Sequence, residues 1–243
     1  MPGLSIIRVL PASTGRRPEP VDALRPSEYT AALVQVLGTQ SAFVRGTDAL
    51  EIGCGSGVVL AAIAELGAAS LCGIDIEGSA VATAAVLLHG LGHGDKLRLY
   101  CGDMWRPVVG RRFDLIAANL PQFPMKDQEY GGRFRSWSSG GPDGRRVLDR
   151  FLGGLVEHLV PGGRAIITHN GFVDLETSRA LLAPDGLSLR VAMTALIHLG
   201  QEKLDLMTRS ILLAEDGRSI HRYGPYAFAE MHVVEIGAAS ALR

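Results

Sequence analysis

Apolar residues along the chain fall into two patterns, short continuous runs and longer stretches with helical spacing. The short runs predict strands, since a strand that is buried on both faces keeps few polar positions. These runs cover residues 48–52, 70–76, 96–101, 113–119, 164–168, 190–199 and 207–214. The helical spacing covers residues 28–37, 58–66, 79–88, 145–159 and 175–182. Strands and helices therefore alternate along most of the chain.

This alternation predicts an α/β fold. Strands that are separated by helices form a parallel sheet with helices on both faces. Only a short polar link joins the last two predicted strands, so we expect an antiparallel ending. The organisation has three parts: an N-terminal arm and lid helix (1–45), a main domain (46–215) and a C-terminal extension (216–243). The extension is predicted to be either an edge strand or a surface for a partner.

Composition and charge exclude several classes of protein. The formal net charge is −1 at pH 7, from 24 Lys and Arg against 25 Asp and Glu, so there is no basic excess for nucleic acid. No apolar run reaches the roughly 18 residues of a membrane span. Three widely spaced cysteines argue against a disulfide framework and a thiolate metal site. We therefore predict a cytoplasmic protein without metal, nucleic acid or membrane partners.

Glycine is over-represented, with 30 glycines in 243 residues, and one cluster follows the first predicted strand. Glycines there let the backbone turn tightly and let a ligand approach the peptide groups. A dinucleotide fingerprint has its third glycine at the sixth position, where this chain has Val58. The earlier glycine and the preceding carboxylate favour S-adenosylmethionine (SAM) instead. The residues predicted to bind this cofactor are Glu51, Gly53, Cys54, Gly55 and Gly57.

Two acidic residues follow the next two predicted strands. Asp75 ends the second strand, where a carboxylate can accept hydrogen bonds from both ribose hydroxyls. Asp103 follows the third strand and can accept the adenine amino hydrogen, with Met104 and Trp105 as an apolar wall. Ligands of open α/β sheets bind at the carboxyl ends of the strands. We therefore add Asp75, Ile76, Asp103 and Met104 to the predicted cofactor site.

The fourth predicted strand ends in Asn119-Leu-Pro-Gln-Phe-Pro124, and here the chain resembles the class I SAM-dependent methyltransferases. More narrowly, it resembles the HemK-like protein-glutamine N5-methyltransferases of release factors, which have Asn-Pro-Pro-Tyr at this point. In that family the Asn side chain and a following main-chain carbonyl hold the hydrogens of the acceptor nitrogen. The resemblance implies a Rossmann-like, seven-stranded, mostly parallel sheet with an antiparallel last strand. It implies a catalytic turn of Asn119, Leu120 and Pro121, with Asn119 also near the cofactor.

The resemblance covers about residues 25–215. Downstream, Gly140-Gly-Pro-Asp-Gly144 is similar to the segment that opens the family's next helix, and Gly200-Gln-Glu-Lys-Leu204 resembles a loop between its last two strands. Upstream, Arg25-Pro-Ser-Glu-Tyr29 resembles the segment that closes over SAM. This similarity implies that Tyr29 contributes to cofactor binding.

Two positions depart from the family motif: Leu120 replaces the first Pro, and Gln122 replaces the aromatic residue. Three hypotheses follow. The first is a SAM-dependent methyltransferase with a nitrogen acceptor, either a glutamine-like amide in a peptide or a small molecule. The second is a natural-product tailoring enzyme that acts on an oxygen, sulfur or intramolecular acceptor, including SAM cyclisation. The third is a non-catalytic SAM-binding subunit, with a homodimer or a partner chain contacted through the C-terminal extension.

Three further features are candidates on the acceptor side. His169 and Asn170 end the fifth predicted strand, where His169 is a candidate general base. The glycine-rich residues 125–144 are predicted to form an acceptor-side lid. The basic cluster that includes Arg145 and Arg150 is predicted either to recognise an acidic substrate or to be a solvated loop.

Overall fold

The structure is a computed structural model, and it describes residues 26–125 and 137–242. The N-terminal arm and the middle of the predicted lid, residues 126–136, lie outside the described residues. The strands are β1 (Asp48–Ile52), β2 (Ser70–Asp75), β3 (Leu97–Cys101), β4 (Phe113–Ala118), β5 (Leu159–Asn170), β6 (Leu187–Leu199), β7 (Ile220–Tyr223) and β8 (Tyr226–Ala238). The α-helices are α1 (Glu28–Thr39), α2 (Ser41–Val44), α3 (Val58–Glu65), α4 (Gly78–Gly90), α5 (Arg146–Leu152), α6 (Leu155–His158), α7 (Leu175–Leu182), α8 (Gln201–Leu206) and α9 (Arg209–Glu215).

The described strands form one sheet in the order β3-β2-β1-β4-β5-β8-β6, with β7 paired to β8. The pairs from β3 through β5 are parallel, and β8 is antiparallel to both of its long neighbours. The predicted α/β class and the mostly parallel sheet with an antiparallel last strand are confirmed. The described residues form eight strands instead of seven, because β7 pairs with the first residues of β8, beyond the stretch that β5 occupies.

The prediction of a strand at residues 207–214 is wrong, since Arg209–Glu215 is the helix α9. A short apolar run fits a strand or a helix equally well, and tertiary packing decides between them. The place beside β5 is taken by β8, in which Met231, Val233 and Ile236 are fully buried. In α9, by contrast, Leu213 is 68% exposed.

The C-terminal stretch is part of the sheet. Within β8, Ile236 pairs with Ala165 of β5 on one side and with Leu189 of β6 on the other. A domain boundary at residue 215 would therefore divide the sheet. Because both backbone edges of β8 are paired over residues 231–237, β8 is an inner strand of the sheet and not the edge strand that was one of the two predicted alternatives.

The long helix predicted at residues 145–159 is divided into α5 and α6 at Gly153 and Gly154. A Cβ atom on Gly154 would lie 2.2 Å from the indole nitrogen of Trp105. The Trp105 ring instead stacks on Phe151, at 5.2 Å between ring centroids, and on His158, at 4.4 Å. The glycine thus makes room for an aromatic stack.

Apolar side chains cover both faces of the sheet. Alternate residues of one strand point to opposite faces, so Leu115 and Ile116 belong to different core clusters. The cluster around Leu115 packs α1 and α3 against the sheet, and the cluster around Ile116 packs α5. Among the described residues, none of the helices has both the length and the apolarity to cross a membrane.

Candidate active site

Two adjacent cavities lie at the carboxyl ends of the parallel strands, where β1 and β4 meet and the strand order reverses. The first cavity, of about 230 Å³, is lined by the turns that follow β1, β2, β3 and β4. The second cavity, of about 190 Å³, is lined by the start of α1 and the ends of β4 and β5. Four of the described residues line both cavities: Asn119, Leu120, Pro121 and Trp137. This is the position at which open α/β sheets bind their ligands.

The glycine-rich turn contributes Gly53 and Gly55 to the wall of the first cavity. Their φ angles are 72° and 49°, in the left-handed region that favours glycine. Gly57 has another task, because a Cβ atom there would lie 2.9 Å from the Ala84 Cα, where α3 packs against α4. Cys54 is buried beneath the turn, and burial raises the pKa of its thiol. Neither Gly57 nor Cys54 lines the cavity.

Asp75 joins the turns after β1 and β2. Its carboxylate accepts hydrogen bonds from the Gly55 N–H at Oδ2 and from the Glu77 N–H at Oδ1, each at 2.9 Å. Each carboxylate oxygen can accept more than one hydrogen bond, so Asp75 can still accept from a ligand. This arrangement fixes the Asp75 side chain at the cavity wall.

Glu51 lies under the same turn and is only 2% exposed, so it does not line the first cavity. One of its carboxylate oxygens accepts the N–H of Leu60, in the first turns of α3, at 3.1 Å. Burial raises the Glu51 pKa well above its ordinary value, and the charge of Asp75 raises it further. Glu51 thus supports the turn from below.

The turns after β2 and β3 bring Ile76, Asp103 and Met104 to the first cavity. Asp103 accepts a hydrogen bond at 2.7 Å from Arg150, which also lines the cavity. Sequence reasoning placed Arg150 in a basic cluster and missed this ion pair, which depends on how α5 packs. Trp105 does not line the first cavity and stacks on Phe151 and His158 instead, so the predicted apolar wall retains Met104 but not Trp105.

Asn119 ends β4 and reaches both cavities. Its Oδ1 accepts a hydrogen bond from the Thr168 hydroxyl of β5 at 2.8 Å, which fixes the orientation of the amide. Leu120 packs against the glycine turn, since a Cβ atom on Gly53 would lie 3.8 Å from the Leu120 Cδ2. With Pro121, these residues separate the two cavities.

Gln122 stands where the related motif has an aromatic residue, and its side chain turns into the protein. It is 3% exposed. Its Nε2 donates to the main-chain oxygens of Thr168 at 2.8 Å and Leu120 at 3.5 Å. Its Oε1 accepts the N–H of Asn170 at 3.0 Å. Gln122 therefore bridges the ends of β4 and β5, a role that the sequence signalled only as a departure from the motif.

The described part of the predicted lid packs directly on this turn. Gly144, with φ 78°, approaches so closely that a Cβ atom would lie 2.5 Å from the Gln122 carbonyl oxygen. The next residue, Arg145, is 7% exposed and donates to Asp149 at 2.6 Å and to Ser178 at 3.1 Å. Arg145 therefore anchors the segment to α7 and belongs to neither a solvated loop nor a substrate site.

The second cavity contains Tyr29, whose hydroxyl donates to the Asn170 Oδ1 at 2.9 Å. Burial raises the pKa of Tyr29 to about 12, so the hydroxyl stays protonated. The structure places Tyr29 on the second cavity and not on the first, where the resemblance placed it. Glu28 and Lys203, which have charged side chains, line the same cavity.

His169 does not face either cavity. It is fully buried, and its Nε2 lies 2.8 Å from the Ser178 hydroxyl. Burial lowers its pKa to about 3, which keeps the ring neutral. The candidate general base is therefore wrong, while its neighbour Asn170 does line the second cavity. Across residues 26–125 and 137–242, no cluster of His, Cys, Asp and Glu could hold a metal ion.

This chain is similar in sequence to known methyltransferases. Residues 49–137, from β1 to the lid, match the methyltransferase domain family. A relative from Methanocaldococcus jannaschii, named for protein N5-glutamine methyltransferase activity, is 29% identical over 171 residues, covering 70% of this chain and 85% of the relative. A release factor glutamine methyltransferase of Geobacter sulfurreducens is 32% identical over 123 residues. That alignment covers 47% of this chain and 42% of the relative, so the chain spans less than half of that protein.

A solved structure shares the fold. It is the Mtq2–Trm112 complex of E. cuniculi, described as responsible for methylating the eRF1 translation termination factor. The TM-score is 0.54 at 15% identity, with 89% of this chain and 98% of that chain covered. The matched domain and the two relatives support a class I SAM-dependent methyltransferase with HemK-like features, and the solved structure supports the fold alone.

Proposed function

We propose that the protein binds SAM in the first cavity and transfers its methyl group to a nitrogen acceptor in the second. The observation that carries this proposal is the shared wall of Asn119, Leu120 and Pro121, which lies between the two cavities. Methyl transfer is an in-line displacement, so donor and acceptor need to meet from opposite sides of one point. The relatives named for glutamine methylation support a glutamine-like amide, in a peptide or in a small molecule.

The residues that line the first cavity suit the chemical groups of SAM. The Asp75 carboxylate suits two ribose hydroxyls, because charged acceptors form the stronger hydrogen bonds. Gly53 and Gly55 leave the backbone open to a ligand, and Ile76 and Met104 are apolar surfaces for an adenine ring. The residues proposed to contact SAM are Gly53, Gly55, Asp75, Ile76, Asp103 and Met104, while Asn119 is assigned to the acceptor. Those proposed to support them from behind are Glu51, Cys54 and Gly57.

The protein's own contribution to the reaction is positioning. SAM supplies an electrophilic methyl group on a sulfonium, whose departure as a thioether needs no acid. Asn119 is oriented by Thr168, and its Oδ1 and the Leu120 carbonyl each have a second lone pair for an acceptor N–H. Holding both reactants in line is worth effective molarities of about 10⁵ M or more. The N–CH₃ bond forms as the S–CH₃ bond breaks, and the nitrogen then loses a proton to water.

Calorimetry with SAM and S-adenosylhomocysteine (SAH) is the first test, and we expect saturable binding of both. The second test incubates the protein with methyl-labelled SAM and either glutamine-containing peptides or free glutamine, and follows label and mass. Absence of SAH binding would contradict the proposal. Products from SAM alone, faster than its chemical decay, would support the intramolecular alternative. Binding without transfer to any acceptor would indicate a non-catalytic subunit.

A further inference from the structure

The second cavity has two charged side chains of opposite sign, Glu28 from the start of α1 and Lys203 from α8. In the described part of the chain, these two side chains do not form an ion pair with each other. Neither side chain forms a hydrogen bond or an ion pair with any other residue of the described ranges 26–125 and 137–242. The cavity therefore has one free cation and one free anion among its described residues.

The remaining lining of this cavity is neutral. Its polar members among the described residues are Ser27, Tyr29, Asn119, Gln122, Ser138 and Asn170. Tyr29 and Gln122 already make hydrogen bonds to the end of β5. Charge recognition in the described part of the cavity thus depends on Glu28 and Lys203. A charged hydrogen bond is about twice as strong as a neutral one, so a ligand with charges to match gains most here.

We propose that the methyl acceptor is a free α-amino acid with a nitrogen in its side chain. Lys203 binds its α-carboxylate, Glu28 binds its α-ammonium group, and the side chain extends toward Asn119. This inference rests on the proposed function and specifies its substrate class. The side-chain nitrogen forms the N–CH₃ bond as the S–CH₃ bond of SAM breaks, and its proton leaves to water.

Other acceptors fit these charges less well. The same amino acid inside a peptide has neutral amide groups at both positions and leaves Glu28 and Lys203 without partners. A simple anion satisfies Lys203 but lies in the field of the Glu28 carboxylate. Specificity arises from such differences between the groups that a site satisfies and those it leaves unpaired. A zwitterion satisfies both side chains.

The test compares L-glutamine with N-acetyl-L-glutamine amide, which has the same side chain and no charges. Calorimetry on the SAH-loaded protein measures binding, and methyl-labelled SAM measures transfer. A panel of free asparagine, histidine, lysine and arginine extends both assays. We expect at least one free amino acid to bind about tenfold or more tightly than its blocked derivative, in line with the strength of a charged hydrogen bond.

Two variants test whether Lys203 and Glu28 account for the preference for a free amino acid. Lys203→Met and Glu28→Gln keep most of the side-chain volume and remove one charge each, and we expect each to raise the acceptor Kd and KM about tenfold. Arg98→Met on β3 and Glu202→Gln on α8 are matched controls, since both residues are exposed and line neither cavity. Thermal melting of all four variants checks that the fold is retained.

Equal binding or transfer for free and blocked amino acids would overturn the inference, as would unchanged constants in both cavity variants. So would a panel in which no free amino acid binds. These results differ from failure of the proposed function, in which SAH itself does not bind. If SAH binds and a glutamine peptide is methylated while no free amino acid of the panel is, the proposed function holds and the zwitterion inference fails.

Discussion

The Gln122 side-chain amide donates to the Thr168 main-chain oxygen at 2.8 Å and accepts the Asn170 N–H at 3.0 Å. One buried side chain thereby ties the end of β4 to the end of β5. Asn170 is one of these tied positions and Asn119 precedes Leu120, whose main-chain oxygen also accepts from Gln122, and both asparagines line the second cavity. The Gln122 amide thus fixes the spacing of these two strand ends at the second cavity.

Gln122→Met tests this bridge, because methionine has similar length and no hydrogen-bonding amide. The change leaves the Asn170 N–H and the Thr168 oxygen without their partner inside the protein. An unsatisfied buried group costs about 1–3 kcal/mol, so we expect the free energy of unfolding to fall by about 2 kcal/mol. Denaturant unfolding measures it. Gln201→Met is the control, since Gln201 bonds Asp205 on an exposed helix face. Equal stability of the two variants would contradict the role of Gln122.

Thr168→Val removes the hydroxyl that orients the Asn119 amide and keeps the shape of the side chain. Because Asn119 is proposed to position the acceptor, we expect kcat to fall about tenfold, equivalent to about 1.4 kcal/mol of transition-state stabilisation. The Kd for SAH should change less than twofold. Asn119→Ala should lower kcat further with the same small change in Kd.

Thr168→Ser is the matched control, since it restores the hydroxyl without the methyl group. We expect it to recover most of the lost kcat. If Thr168→Val raises the SAH Kd as much as it lowers kcat, then Asn119 serves the cofactor instead of the acceptor.

The grouping of residues around the first cavity was predictable from the sequence because its signals are local. The glycine spacing after β1 and the acidic residues after β2 and β3 each stand at the end of a short apolar run. Parallel strands bring those ends to one edge. Gly53, Gly55, Asp75 and Asp103 accordingly line one cavity.

The parts that were not predictable depend on distant packing. An apolar run such as residues 207–214 fits a strand until β8 fills the sheet position. The direction of a side chain at a turn also depends on residues that are distant in the sequence. Gln122 turns inward because β5 offers an oxygen and an N–H, and Trp105 turns inward because Gly154 leaves room for its ring.

Asp75→Asn and Asp103→Asn should have different effects, because the two carboxylates have different partners. Asp75 holds two backbone N–H groups, while Asp103 pairs with Arg150 at side-chain exposures of 36% and 55%. Exposed ion pairs contribute about 0–1 kcal/mol, so Asp103→Asn should alter stability little. Asp75→Asn replaces one accepting carboxylate oxygen with an NH₂ group, which cannot accept a hydrogen bond from a backbone N–H. We expect its SAH Kd to rise tenfold or more.

Calorimetry with SAH and thermal melting, applied to both variants, measure these differences. A larger loss of stability in Asp103→Asn than in Asp75→Asn would contradict the assignment.

Trp137 offers a spectroscopic test, since the chain has two tryptophans and Trp137 lines both cavities. Its indole N–H donates to Glu77 at 2.9 Å. Trp105→Phe removes the partly buried, stacked tryptophan and leaves Trp137 as the emitter. We expect SAH to change that emission saturably, with the Kd found by calorimetry. In the reverse variant, Trp137→Phe, emission from Trp105 should not respond. A response from Trp105 alone would place the ligand elsewhere.

His169 gives a pH dependence of stability with a defined sign. Its pKa falls from 6.5 to about 3 on folding, because burial disfavours the charged ring. Between these values the unfolded chain binds a proton that the folded protein does not, so stability is complete above pH 6.5 and decreases as the pH falls toward 3. The slope approaches about 1.4 kcal/mol per pH unit. The free energy of unfolding is measured at pH 7.5 and at pH 5.5. We expect the decrease between these two pH values to be about 1 kcal/mol smaller in His169→Gln than in the wild type. The exposed His89→Gln should retain the wild-type difference, and an equal loss in both variants would assign the effect to some other group.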